Sequence, residues 1–144
     1  MKLRLIALPV ALSLAACAST GAGNDGYGYG DAAKLALYRA HVIEEVGSIP
    51  FSGSIDRWTG LGETALAVWT SPGRAWLLEL GARCPYLDTS YSIGFDSRDG
   101  RIDAGFDSVV PLEGGVQIPC RIDAIYRIDT DALREAERAQ DSGV

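Results

Sequence analysis

The chain has 144 residues, 47% of them hydrophobic and 22% charged, with 13 basic side chains against 19 acidic ones and a formal net charge of −6. An acidic chain without a cluster of Lys and Arg is a poor match for phosphate backbones or anionic lipid surfaces, which excludes nucleic acid as a partner. The length suits one domain with its own core and leaves little room for a second.

Met1-Lys2-Leu3-Arg4 followed by an apolar run from Leu5 to Ala16 has the charged and short hydrophobic regions of an export signal. The run is shorter than the roughly 20 residues that a transmembrane helix needs. It closes as Leu14-Ala15-Ala16-Cys17, which resembles the lipobox of bacterial lipoproteins: an apolar residue, two small ones, then the cysteine to be acylated. That resemblance implies cleavage after residue 16 and acyl chains on Cys17, and two such chains are enough for stable anchoring. Ala18 in place of Asp resembles the default sorting to the outer membrane, on its periplasmic face. Loss of residues 1–16 leaves 11 of the 13 basic residues, a balance of about −8. The expected partners are the membrane, through the lipid anchor, and another envelope protein.

Residues 17–30 carry five glycines among the last ten and read as a flexible linker. Residues 31–144 are then expected to form a single domain. Asp31 stands as an N-cap, and Leu35, Tyr38, Val42 and Val46 recur at spacings of three and four, which predicts a helix over 32–46. His41, the only histidine, sits beside that stripe as a structural residue. Thr64 to Thr70 and Ala75 to Leu80, separated by Ser71-Pro72-Gly73, predict a β-hairpin. A second hairpin is expected from Tyr91, Ile93 and Phe95, the turn at 96–100, and Ile102, Ala104 and Phe106. Cys120, Ile122, Ala124, Tyr126 and Ile128 would share the inward face of the last strand. A polar helix starting at Thr130 or Asp131 and ending near Gln140 closes the chain. The Arg-Ile-Asp triplets at 101–103, 121–123 and 127–129 fit inward isoleucines and outward ion pairs without any repeat unit. The expected fold class is α+β: an N-terminal helix on an antiparallel sheet or small open barrel, with a short C-terminal helix.

With Cys17 acylated, Cys84 and Cys120 remain, and an even pair in an exported chain points to a disulfide. Closing that loop contributes roughly 3 to 4 kcal/mol on the chain-entropy account. The other reading, a reactive thiol pair, lacks the close spacing and the neighbouring histidine of such sites.

No nucleophile elbow, Ser-x-x-Lys, His-Glu-x-x-His or phosphate loop is present, so no catalytic residue is assigned. One histidine and two paired thiols are too few ligands for zinc. An EF-hand opened by Asp96 would need glycine at its sixth position and glutamate at its twelfth, where Arg101 and Asp107 stand, so the segment reads as a plain turn. No metal or cofactor is expected. Trp58, Trp69 and Trp76 are candidates for a ligand groove, with core filling as the other reading.

Ile55-Asp56-Arg57-Trp58, the strand Ala65 to Trp69, Trp76 to Leu80 leading to Cys84, and Pro119-Cys120-Arg121-Ile122 together resemble a family of small proteobacterial lipoproteins whose domain has no assigned function. The similarity covers roughly residues 32–129 and carries no catalytic residues. It implies one exported α+β domain with a bridge between Cys84 and Cys120. The leading functional expectation is a membrane-tethered, non-enzymatic binding or supporting module of the cell envelope. The alternatives are a small hydrolase or ligand-processing accessory with a pocket near Trp58 and Trp76, and a spacer with neither pocket nor partner.

Overall fold

The computed structural model describes residues 28–112 and 115–143, so the signal segment, Cys17 and most of the expected linker lie outside the described residues. The fold is mixed α+β: an antiparallel sheet curls into a half-barrel, and two helices accompany it. The elements are α1 (Gly28–Ala40), β1 (Val42–Val46), β2 (Ser48–Pro50), β3 (Arg57–Gly60), β4 (Ala65–Ser71) and β5 (Arg74–Leu80). They continue as β6 (Ile93–Asp96), β7 (Arg101–Asp103), β8 (Ser108–Pro111), β9 (Cys120–Ile128) and α2 (Thr130–Asp141). The main sheet runs β3-β4-β5-β9-β8-β6, with β1 also paired to β9, and β2 and β7 form a separate ribbon.

The first helix is six residues shorter at its C-terminal end than the spacing of Leu35, Tyr38, Val42 and Val46 suggested, and it begins before Asp31 rather than being capped by it. The chain leaves the helix at His41, and Val42 to Val46 become a strand against Ile125 to Ile128. Val42, Ile43 and Val46 are β-branched, and that favours a pleated surface over the crowded turn of a helix. A bulge between Val42 and Glu44 then turns Val42 toward the core beneath the helices and Val46 toward the opposite core. A helical spacing was thereby reproduced by a kinked strand.

The hairpin of β4 and β5 is present as expected, with Leu66 opposite Leu78 and Val68 opposite Trp76. Ala65 to Trp69 read as a continuous apolar run because both faces of this strand are covered. Leu66, Val68, Trp76 and Leu78 face the concave side, together with Ile122, Ile125, Cys84 and Cys120. Ala65, Ala67, Trp69, Ala75 and Leu77 face the convex side, where Leu35 and Tyr38 of α1 and Leu133 of α2 cover them. The three alanines keep that face shallow, so helical side chains can reach it. Each fully buried Leu or Ile on either side contributes about 1.5 to 3 kcal/mol by removal from water.

The second expected hairpin does not form. Ile93 to Asp96 and Arg101 to Asp103 are strands, but β6 pairs with β8 and β7 pairs with β2. Asp99 and Gly100 both take positive φ and reverse the chain, after which the Phe51 N–H to Gly100 C=O bond of 2.8 Å draws the next strand to β2. Ile49 and Ile102 then face each other across that ribbon and fill the concave core, both fully buried. Tyr91 and Phe106, named in that expected hairpin, lie outside its strands and are 92% and 87% exposed.

In β9 the strict alternation also breaks. Glu79 pairs with Ala124 and Leu80 with Ile122, so Asp123 is an extra residue in a bulge. Cys120, Ile122 and Ile125 lie on the concave side, whereas Tyr126 and Ile128 belong to the convex one. The C-terminal helix matches its expected span, with Asp129 as its N-cap through a 3.0 Å bond from the Ala132 N–H. Of the triplets, Ile102, Ile122 and Ile128 are buried while Arg101–Asp103 and Arg121–Asp123 are ion pairs at the surface. No helix among the described residues is long and apolar enough to cross a membrane.

Candidate functional site

The concave core opens at one side into a cleft of about 670 Å³. One wall is the segment from Phe51 to Ile55, which leads from β2 toward β3; the other is β6, with Ser97 and Gly100 beyond it. Phe51, Ile55, Ile93 and Phe95 are half-buried and pack on the concave core, so the floor of the cleft is apolar. Phe51 and Phe95 meet edge to face at 5.4 Å between ring centroids, which spans the floor and holds the two walls together. Ser52, Gly53 and Ser54 line one side with small polar surface. None of the described residues that line the cleft is titratable.

The β6 wall presents its backbone rather than one face. A cleft lying on one face of a strand would touch alternate residues, but this one touches Ile93, Gly94 and Phe95 in succession. The phase of the ladder follows from two contacts. The Leu112 N–H donates to the Ser92 C=O at 3.0 Å, and Pro111, which has no N–H, stands opposite Ile93. Antiparallel pairs alternate between bonded and non-bonded positions, so Gly94 and Asp96 bond to Val110 and Ser108. The N–H and C=O groups of Ile93 and Phe95 therefore point away from β8. β6 is the last strand of the sheet, and that outer side borders the cleft.

The tryptophans are not gathered into one groove. Trp58, Val68 and Trp76 form a cross-strand row on the concave face, while Trp69 lies on the convex face. Trp69 is 4% exposed, with Tyr38 edge-on at 6.3 Å and the Arg57 guanidinium 4.0 Å from its ring centre. Trp76 is 7% exposed and donates its indole N–H to the Thr70 hydroxyl at 3.2 Å. These rings fill cores, and none of the three is among the residues lining the cleft. Ile93 and Phe95 were expected in a strand, but nothing in the sequence marked the stretch from Phe51 to Ile55 as its neighbour across a cleft. The available signal was an apolar residue at each end of a small polar run.

Cys84 and Cys120 are joined by a disulfide that pins the loop after β5 to the start of β9. His41 donates from Nδ1 to the Leu37 C=O at 2.8 Å and its own C=O accepts from the Asp129 N–H, so it ties the end of α1 to the start of α2. Among the described residues no group of three or more His, Cys, Asp or Glu side chains is placed to hold a metal ion. No curated protein and no solved structure matches the chain. The chain belongs to the family of unknown function DUF6491, whose model matches residues 1–143.

Proposed function

We propose that this protein is an exported lipoprotein, anchored through Cys17 at the periplasmic face of the outer membrane, whose domain from residue 31 onward is a non-enzymatic binding module of the envelope. The observation that carries the binding part is the cleft at the open side of the half-barrel, with an apolar floor reaching solvent and no titratable side chain among the described residues of its lining. General acid-base and nucleophilic chemistry need a proton carrier within hydrogen-bond reach, and the lining supplies none, whereas apolar floor and small polar walls suit recognition. The anchoring part is supported by the basic start, the short apolar run and Leu14-Ala15-Ala16-Cys17.

Two measurements test the reading. Metabolic labelling with palmitate should mark the protein, and Cys17→Ser should lose the label and leave the membrane fraction. Retention of that variant on washed membranes would overturn the anchor. For the cleft, 1-anilinonaphthalene-8-sulfonate should bind the full chain and be weakened by Phe95→Ala at unchanged far-ultraviolet circular dichroism. Binding unaffected by Phe95→Ala would remove the cleft as the site.

A further inference from the structure

Resting on the cleft as the binding site, we infer that its ligand is an extended, uncharged segment of another polypeptide, bound as a strand added to the outer edge of β6. Three features point to that chemistry. The first is the row of backbone groups from Ile93 and Phe95 that no strand among the described residues uses, which offers two donors and two acceptors along one line. Such an edge is completed by the backbone of an extended peptide, whereas a sugar or a lipid tail has no matching alternation of N–H and C=O. Natural edges are commonly guarded by Lys, Pro or a bulge, and β6 has none of these between Ile93 and Asp96.

The second feature is the floor. A strand laid beside β6 places alternate side chains inward, and there Phe51, Ile55 and Phe95 provide an apolar bed. Ser52, Gly53 and Ser54 leave room on the opposite wall because their side chains are small or absent. The four residues of β6 span roughly 13 Å, so the added segment would be about four to six residues long.

The third feature is charge. No described residue lining the cleft carries a charge, so a charged side chain of the occupant would find no partner in the lining. Burying a charge there without a partner is costly, which sets the occupant as one without charged residues in the bound stretch.

The test uses the full chain in detergent micelles and a library of six-residue peptides that alternate Val, Ile, Leu or Phe with Ser or Thr. Amide exchange is read at Ile93 and Phe95. The expected result is that members of the library slow exchange at both amides by about tenfold or more. N-methylation of the same peptides at the positions facing β6 should abolish that protection, and Ile93→Pro, which removes one outward donor and leaves the β8 ladder intact, should abolish it at the Phe95 amide. Equal binding of the N-methylated peptides would overturn strand addition while leaving the cleft as an apolar site. Protection that rises with protein concentration alone, together with a dimer in sedimentation, would overturn it in favour of a second copy. Failure of the whole library with dye binding to the cleft retained would sink this inference alone, and loss of both would sink the binding reading as well.

Discussion

Cys84 and Cys120 lie 36 residues apart in the chain, and their Cα atoms are 5.6 Å apart across the concave core. Cys84 is fully buried and its N–H donates to the Glu63 C=O at 2.7 Å, so the loop after β5 is held at both backbone and side chain. Replacing both cysteines with serine should cost about 2 to 5 kcal/mol, because a loop of that length gains much freedom in the unfolded chain. Denaturant titration measures the loss. Faster migration of the unreduced protein on a denaturing gel checks the bond itself, and an unchanged midpoint in the double variant would contradict its structural role.

Arg57 and Trp69 offer a second, smaller test. The guanidinium stands 4.0 Å from the ring centre on the exposed side of the convex core, so Arg57→Gln removes the contact without opening a cavity. A loss of about 0.5 to 1 kcal/mol is expected for a cation over an indole at such a site. Tryptophan emission should shift in the variant because Trp69 loses a charge from its face. A change in stability without any change in emission would assign the effect to another partner of Arg57.

The parts of the fold that the sequence made legible are those in which one pattern persists. Residues 65–69 are one apolar run and 75–80, interrupted only by Glu79, another across a Pro-Gly turn, and the C-terminal helix has a cap and an amphipathic stripe. The misreadings occur at bulges. A bulge at residues 42–44 let Val42 and Val46 imitate a helical face, and the extra residue Asp123 moved Tyr126 and Ile128 to the other side of β9. One inserted residue reverses every later side chain, and its presence depends on the partner strand rather than on the local sequence. The partner of Arg101 to Asp103 was hidden for a similar reason. A turn at 96–100 invites pairing with the preceding strand, but Ile102 pairs with Ile49, 53 residues earlier, and both are fully buried. The cleft was invisible because it depends on that long-range choice.

Gly60 provides a prediction on the packing of the loop that carries Cys84. A methyl group there would lie 3.3 Å from the Asp88 Cα and 3.4 Å from the Leu87 C=O, both backbone atoms that cannot swing aside. Gly60→Ala should therefore destabilise the protein by about 1 to 3 kcal/mol, the range of an overpacked site. Gly73→Ala, with nothing within 4 Å of the added carbon, is the control and should change stability by less than about 0.5 kcal/mol. Equal midpoints for the two variants in thermal unfolding would show that the loop yields freely.

The link between the two helices carries a pH dependence. Tyr38 is 3% exposed, and its hydroxyl donates to Glu137 Oε1 at 3.1 Å, joining α1 to α2 above Trp69. Burial raises the phenol well above its ordinary range, and the negative charge of Glu137 adds to the rise. The folded protein holds this proton more tightly than the unfolded chain does. Stability associated with it is thus fully present below the unfolded value of about 10, and it is lost as pH rises through the folded value. Tyr38→Phe removes the hydrogen bond and the titrating group together. At pH 7 the variant should be less stable by about 0.5 to 1.5 kcal/mol, since Glu137 remains solvated and is not left stranded. Between about pH 10 and 12 the wild type should lose stability faster than the variant, and the gap between them should narrow. Contributions common to the two proteins cancel in the difference. Urea midpoints measured in parallel at pH 7, 10 and 11 settle the matter: a gap that stays constant or widens at alkaline pH would mean that the Tyr38 proton is not held by the fold.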